Sequence, residues 1–66
     1  MNGGDTVKPN MDLRFYARGK GVSIWMIADE YGIHENTLLN RMRKQFTEEE
    51  ANEFKAKVDK IVQEGR

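Results

Sequence analysis

The sequence predicts an all-α domain in which three short helices are followed by a longer fourth helix. Apolar residues recur every three or four positions over residues 24–31 and again over residues 51–62, as they do on one face of a helix. Glycines interrupt the pattern at Gly19, Gly21 and Gly32, where helices readily end. With 66 residues and 38% apolar content, the chain has room for one domain with a thin core.

The composition argues against several classes of protein. The chain has no cysteine and a single histidine, His34, so neither disulfides nor a metal site is expected. No apolar run approaches the roughly 20 residues of a membrane span, and the polar, glycine-rich start does not resemble a signal peptide. The sequence also lacks a phosphate-binding glycine loop and an obvious catalytic pair. We therefore expect a cytoplasmic domain that is not an enzyme and needs no cofactor.

The chain is predicted to begin with an arm, which precedes the folded domain. Residues 1–9 combine two glycines and a proline with no apolar period, which predicts a disordered arm. The domain then covers residues 10–66. Asn10 is a favourable N-cap for a first helix over residues 11–18. The inner face of this helix carries Leu13, Tyr16 and Ala17.

A second helix is predicted for residues 24–31, with a sharp turn at its end. Ser23 precedes it as an N-cap, whose hydroxyl would accept a hydrogen bond from a free amide of the first turn. Gly32 follows it and permits the left-handed conformation that closes a helix without a Cβ clash. The apolar stripe of this helix consists of Ile24, Ile27, Ala28 and Tyr31.

A third helix is predicted after Ile33, and its two sides differ in character. Leu38, Met42 and Phe46 lie four residues apart and therefore share the inner side. At about 100° per residue, the opposite arc contains only neutral polar or basic side chains, whereas a merely solvated face generally mixes both signs of charge. His34 stands at the N-cap position. The residues of the outer arc are Asn36, Thr37, Asn40, Arg41, Arg43 and Lys44.

The fourth helix has the clearest local signal in the chain. Thr47 and Glu50 are spaced for a capping box, in which each side chain bonds the backbone amide of the other residue. The helix is predicted to continue to about Glu64. Its apolar face closes the core, and we expect the surplus to offer a surface for a homodimer. That face carries Ala51, Phe54, Val58, Ile61 and Val62.

The second and third predicted helices resemble the helix-turn-helix of bacterial and phage DNA-binding proteins. In ADEYGIHENTLLNRMRK, the small residue Ala28 is followed by Gly32, by a branched apolar residue and by Leu38. The wider segment LRFYARGKGVSIWMIADEYGIHENTLLNRMRKQF, about half of the chain, resembles small phage-type regulators of Gram-positive hosts. The spacing from Leu38 to Met42 is similar to that of Tet-repressor-type helices.

This resemblance implies sequence-specific binding of double-stranded DNA by a small transcriptional regulator of a phage or mobile element. The third helix would lie in the major groove, where Arg and Asn side chains can pair with base edges and Lys44 suits a phosphate. The start of the second helix would abut the DNA backbone, and His34 would serve as a cap or as a phosphate contact. The expected DNA-binding residues are Ser23, His34, Asn36, Thr37, Asn40, Arg41, Arg43 and Lys44.

Charge is unevenly distributed along the chain, although the formal net charge is zero. Residues 8–45 carry seven basic against four acidic side chains, whereas residues 46–66 carry four basic against six acidic ones. A basic side of the domain is compatible with DNA binding. The acidic last helix leaves an alternative open, a protein-interaction module of phage or mobile-element origin that docks a partner on this helix.

Overall fold

A computed structural model describes residues 9–65, which form four α-helices and no strand. The bounds are Met11–Gly19 for α1, Ile24–Tyr31 for α2, Glu35–Arg41 for α3 and Glu48–Glu64 for α4. The prediction of an all-α domain with three short helices and a longer fourth one is confirmed. Apart from Pro9, the predicted arm lies outside the described residues. Within residues 9–65, no helix combines the length and the apolar content that crossing a bilayer requires.

All four helices contribute to one hydrophobic core. The long α4 packs against both α1 and α2, and α2 packs against α3. Because the inner face of α4 is covered by these contacts, most of its apolar stripe is buried within one copy of the chain. Val62 is the part of that stripe left largely in solvent, with 44% of its surface exposed. The buried core consists of Leu13, Ala17, Val22, Ile27, Ala28, Leu38, Met42, Phe54, Val58 and Ile61.

The turn between α2 and α3 forms at Gly32, as predicted. Gly32 has a φ of 74° and a ψ of 30°, in the left-handed region. Its amide donates to the carbonyl of Asp29, and the amide of Ile33 donates to the carbonyl of Ala28, both at 3.0 Å. These two bonds make a Schellman motif, which satisfies the last carbonyls of α2 and reverses the chain direction into α3.

Gly32→Val is expected to lower the free energy of unfolding by at least about 1 kcal/mol, because a β-branched residue is strained at positive φ. A Cβ at Gly32 meets no atom within 4 Å, so the loss would come from the backbone conformation and not from a clash. Gly19→Val is the matched control, since Gly19 has equally open surroundings and no positive φ. Thermal unfolding followed by circular dichroism measures both variants. Equal melting temperatures for Gly32→Val and wild type would contradict the strain at this turn.

Asn10 occupies the N-cap position of α1, as predicted, but its side chain does not cap the helix and bonds a distant segment instead. Asn10 is fully buried, has a φ of 62° and makes no side-chain cap bond to α1. Its Nδ2 donates to the carbonyls of Met42 and Lys44, each at 2.9 Å, and its Oδ1 accepts from the amide of Phe46 at 2.8 Å. Its own amide donates to Oε1 of Gln45 at 3.1 Å. Asn10 therefore joins the start of α1 to the segment between α3 and α4.

These bonds explain why the third helix is shorter than predicted. The prediction that Leu38, Met42 and Phe46 lie on one continuous helix is wrong, because α3 ends at Arg41 and Met42 is its C-cap. In a continuing helix the amide of Phe46 would donate to the carbonyl of Met42. Both groups are bonded to the carboxamide of Asn10 instead. Leu38 and Met42 are nevertheless buried, as predicted, and the half-buried Phe46 packs against the core.

The capping box at the start of α4 is confirmed. The amide of Glu50 donates to Oγ1 of Thr47 at 3.2 Å, and the amide of Thr47 donates to Oε1 of Glu50 at 2.9 Å. The predicted end of the helix at Glu64 is also confirmed. Immediately before the box, the ring of Phe46 meets the buried ring of Phe54 edge to face, with 6.2 Å between the ring centroids. The start of α4 is thus fixed both locally and by contact with the core.

Candidate nucleic-acid interface

The outer face of α3 is an exposed surface of neutral polar side chains. Leu38 is fully buried and fixes which side of this seven-residue helix points inward. Asn36, Thr37 and Asn40 lie opposite Leu38, within an arc of about 100°, and all three are exposed. Asn36 and Asn40 are one turn apart and are therefore neighbours along the surface. Carboxamides and hydroxyls both donate and accept hydrogen bonds, so this face can pair with groups of mixed polarity.

His34 caps the start of α3. Its ring Nδ1 accepts a hydrogen bond from the amide of Asn36 at 3.1 Å, and its backbone is extended, with φ at −72° and ψ at 150°. The hydrogen bond to His34 satisfies the amide of Asn36, which is one of the first-turn amides that have no partner inside the helix. Because Nδ1 is the acceptor, the neutral ring carries its hydrogen on Nε2. That exposed N–H remains a donor next to the outer face of α3.

Arg41 lies at the edge of the predicted outer arc, beside the acidic start of α4. It lines an open groove of about 400 Å³ between α2, α3 and α4 together with Tyr31, Lys44, Glu50 and Glu53. Burial raises the pKa of Tyr31 to about 12, and the negative charge of Glu53 adds to the rise while Arg41 opposes it. Arg41 therefore belongs to the lining of this groove, which includes neither Asn36 nor Asn40.

Arg43 and Lys44 lie beyond the end of α3, so the prediction that they continue its helical arc is wrong. Both belong to the turn that connects α3 to α4, and both are exposed. Asn10 bonds the carbonyl of Lys44, which fixes the backbone there while the cationic side chain stays on the surface. The two cations therefore lie at the carboxyl end of α3, where positive charge also complements the helix dipole.

Ser23 occupies the N-cap position of α2 but does not cap it. Its backbone is extended, with φ at −90° and ψ at 162°, yet its side chain makes no cap hydrogen bond. Within residues 9–65 the buried Oγ of Ser23 has no hydrogen-bond partner. The predicted capping bond is therefore wrong, although the start of α2 was placed correctly. Ser23 lines a second cavity together with Arg14 and Arg18. This cavity shares no lining residue with the groove between α2, α3 and α4.

The predicted site residues fall into three groups on the structure. Asn36, Thr37 and Asn40 form the outer face of α3, with His34 at its start. The cations Arg41, Arg43 and Lys44 lie at or beyond its end, and Ser23 belongs to the start of α2. Arg14 and Arg18 were not among the predicted site residues. The sequence offers one indication that they share a surface, namely that they lie four residues apart on α1, shortly before Gly19, Gly21 and Ser23.

No family model matches this chain, and the curated proteins and the solved structures give no match either. Its function therefore has to be inferred from the side chains that the fold brings to the surface. These are an exposed polar helix face, a set of cations at the end of that helix, and a pair of arginines on α1.

Proposed function

We propose that the chain binds double-stranded DNA with sequence specificity, as a small transcriptional regulator of a phage or mobile element. The outer face of α3 is the observation that carries this proposal. Asn36, Thr37 and Asn40 are exposed together on a short helix whose orientation is fixed by the burial of Leu38 and the turn at Gly32. Side chains that are exposed, polar and rigidly presented are what a base-reading helix requires.

In this proposal α2, the Gly32 turn and α3 act as a helix-turn-helix. The major groove is about 12 Å wide and admits one α-helix, which here would be α3. The carboxamides of Asn36 and Asn40 suit the N6 and N7 groups of adenine, and the methyl group of Thr37 suits the methyl group of thymine. These three residues would select the sequence.

Affinity would come from the cations that surround the neutral face. Phosphate contacts supply most of the sequence-independent part of DNA binding, through the release of counterions. Arg43 and Lys44 stand at the end of α3, where they would meet the phosphates that border the groove. Arg41 lies beside Glu50 and Glu53 and would contribute less, because the two carboxylates offset its charge.

A single copy offers few base contacts, so a specific site would generally consist of two half-sites. The predicted dimer surface on α4 is small, since most of the apolar stripe is buried within the chain and Val62 is the largely exposed member. A dimer that forms through so small a surface would be stabilised mainly by the shared DNA. We therefore place the homodimer on the DNA and not in free solution.

Lys44→Gln is expected to weaken DNA binding about equally on every duplex sequence and to lower the slope of log affinity against log salt by about one unit. The reason is that one phosphate contact releases about one counterion. Fluorescence anisotropy with labelled duplexes at two salt concentrations measures both effects. Lys60→Gln is the matched control, because it removes the same charge from α4, where Lys60 pairs with Glu30 at 3.3 Å.

Equal and salt-insensitive binding by wild type, Lys44→Gln and Lys60→Gln would contradict the DNA proposal. That outcome would favour the alternative, a module that docks a protein partner on α4. Substitution of exposed glutamates there, such as Glu49 and Glu53, would then weaken capture of the partner.

A further inference from the structure

The groove between α2, α3 and α4 combines an apolar lining with charges of both signs. Its volume is about 400 Å³, which lies within the range of sites that take small organic molecules. The apolar part of the lining comes from Leu38, Phe46 and the ring of Tyr31. All three belong to the core or pack against it, so the fold holds this part of the groove in place. A ligand that carries an apolar group is suited to it.

The charged side chains of the groove do not neutralise one another. Arg41 and Lys44 come from the end of α3 and the turn after it, whereas Glu50 and Glu53 come from α4. In the described part of the chain, neither cation forms an ion pair with either glutamate. One oxygen of Glu50 accepts from the amide of Thr47 in the capping box, whereas Glu53 has no hydrogen bond or ion pair among residues 9–65. Both signs of charge are therefore available to a ligand.

Two neutral side chains add hydrogen-bond donors to the groove. Because burial raises the pKa of Tyr31 to about 12, its hydroxyl keeps its proton at neutral pH and can donate. That hydroxyl makes no hydrogen bond with another residue of the described part of the chain. Gln45 uses its Oε1 to accept from the amide of Asn10 at 3.1 Å, which leaves its Nε2 as a donor. Both donors suit a carboxylate, which can only accept.

We infer that this groove binds an apolar α-amino acid. A lone anion would be repelled by the two carboxylates of the lining, and a lone cation by its two basic side chains, whereas a zwitterion can pair with both. The ligand carboxylate would pair with Arg41 and the ligand ammonium with Glu53, each through a charge-assisted hydrogen bond. The apolar side chain of the ligand would lie against Leu38 and Phe46.

The amino-acid site is separate from the surface proposed to read DNA. Asn36, Thr37 and Asn40, on the outer face of α3, do not line the groove. Binding of an amino acid can therefore be measured without DNA, and the inference goes beyond the proposed function and does not depend on it.

NMR titrations of the full chain with L-phenylalanine and with L-leucine test this inference. The backbone amide signals of Gln45 and Phe46, which line the groove, are expected to move at millimolar concentrations of either amino acid. Two derivatives of phenylalanine remove one ligand charge each, since the N-acetyl derivative lacks the ammonium and the amide lacks the carboxylate. Each derivative is expected to bind about tenfold more weakly than phenylalanine, because it loses a hydrogen bond between charged groups.

Two variants assign each ligand charge to its partner in the groove. Arg41→Gln is expected to bind phenylalanine about tenfold more weakly and to lose most of its preference for phenylalanine over the amide, while it keeps its preference over the N-acetyl derivative. Glu53→Gln is expected to show the reverse. Arg43→Gln and Glu49→Gln are the matched controls, because both positions are exposed and neither lines the groove.

The outcomes separate this inference from the proposed function. If neither amino acid moves the signals of Gln45 and Phe46 up to its limit of solubility, the amino-acid site is overturned and DNA reading by α3 is untouched. Binding of the N-acetyl and amide derivatives as tightly as phenylalanine would also overturn it, because the groove would then not select a zwitterion. Binding of phenylalanine with the expected charge preferences, in a chain that does not bind DNA, would support the site and contradict the proposed function.

Discussion

Asn10→Ala is expected to lower the free energy of unfolding by about 3 kcal/mol or more. The change removes the partners of the buried Met42 carbonyl and of the Phe46 amide, and a buried polar group without a partner costs about 1–3 kcal/mol. Alanine at a φ of 62° adds strain of about 1 kcal/mol. Since the total stability of a domain this small is about 5 kcal/mol, the variant should be largely unfolded on mild heating. Urea unfolding followed by circular dichroism measures the loss.

Two further variants separate the causes of that loss. Asn10→Gly removes the same hydrogen bonds but tolerates positive φ, so it should be more stable than Asn10→Ala and well below wild type. Asn52→Ala makes the same chemical change at an exposed position of α4 and should leave stability nearly unchanged. A free energy of unfolding of Asn10→Ala within about 1 kcal/mol of the wild-type value would contradict the stabilising role of these hydrogen bonds.

Asn40→Ala is expected to lose about 1–3 kcal/mol of binding free energy on the preferred DNA site and little on random duplex DNA. Asn40 is exposed on the outer face of α3 and does not belong to the core. The melting temperature of the Asn40→Ala variant should therefore equal that of wild type. Fluorescence anisotropy with a duplex selected from a random library, and with an unselected duplex, measures the two affinities.

The control for Asn40→Ala is again Asn52→Ala, which should bind both duplexes like wild type. A loss of equal size on both duplexes would mean that Asn40 contributes to affinity without selecting a base. No loss on either duplex would remove Asn40 from the interface.

Features set by neighbouring residues could be predicted from the sequence. The Gly32 turn and the Thr47–Glu50 capping box depend on bonds between residues no more than five positions apart, and both were confirmed. The bounds of α2 were also predicted correctly, because an apolar period of three to four residues is interrupted by glycine at one end and begins after serine at the other.

The end of α3 could not be predicted, because a residue more than 30 positions away determines it. Asn10 bonds Met42, Lys44 and Phe46 across sequence separations of 32 to 36 residues. Asparagine is favoured at N-cap positions, and no neighbour of Asn10 in the sequence indicates that its carboxamide bonds another segment instead. The placement of Arg43 and Lys44 depended on this helix end and was therefore wrong as well.

The start of α2 shows a second limit of local patterns. Ser23 has the position and the backbone conformation of an N-cap, yet its hydroxyl is buried and makes no cap bond. The same pattern gives no sign that Arg14 lines a cavity together with Ser23, since that arrangement depends on how α1 packs. The sequence therefore indicates the outer face of α3 but not the cavity that Arg14 and Arg18 line.

The most direct test of DNA reading by α3 is an NMR titration of the chain with duplex DNA, followed through side-chain amide signals. The signals of Asn36 and Asn40, on the outer face of α3, are predicted to shift or broaden most. The signal of Asn52, on α4, is predicted to stay in place. Changes confined to α4, with the two α3 carboxamides unmoved at saturating DNA, would contradict the account.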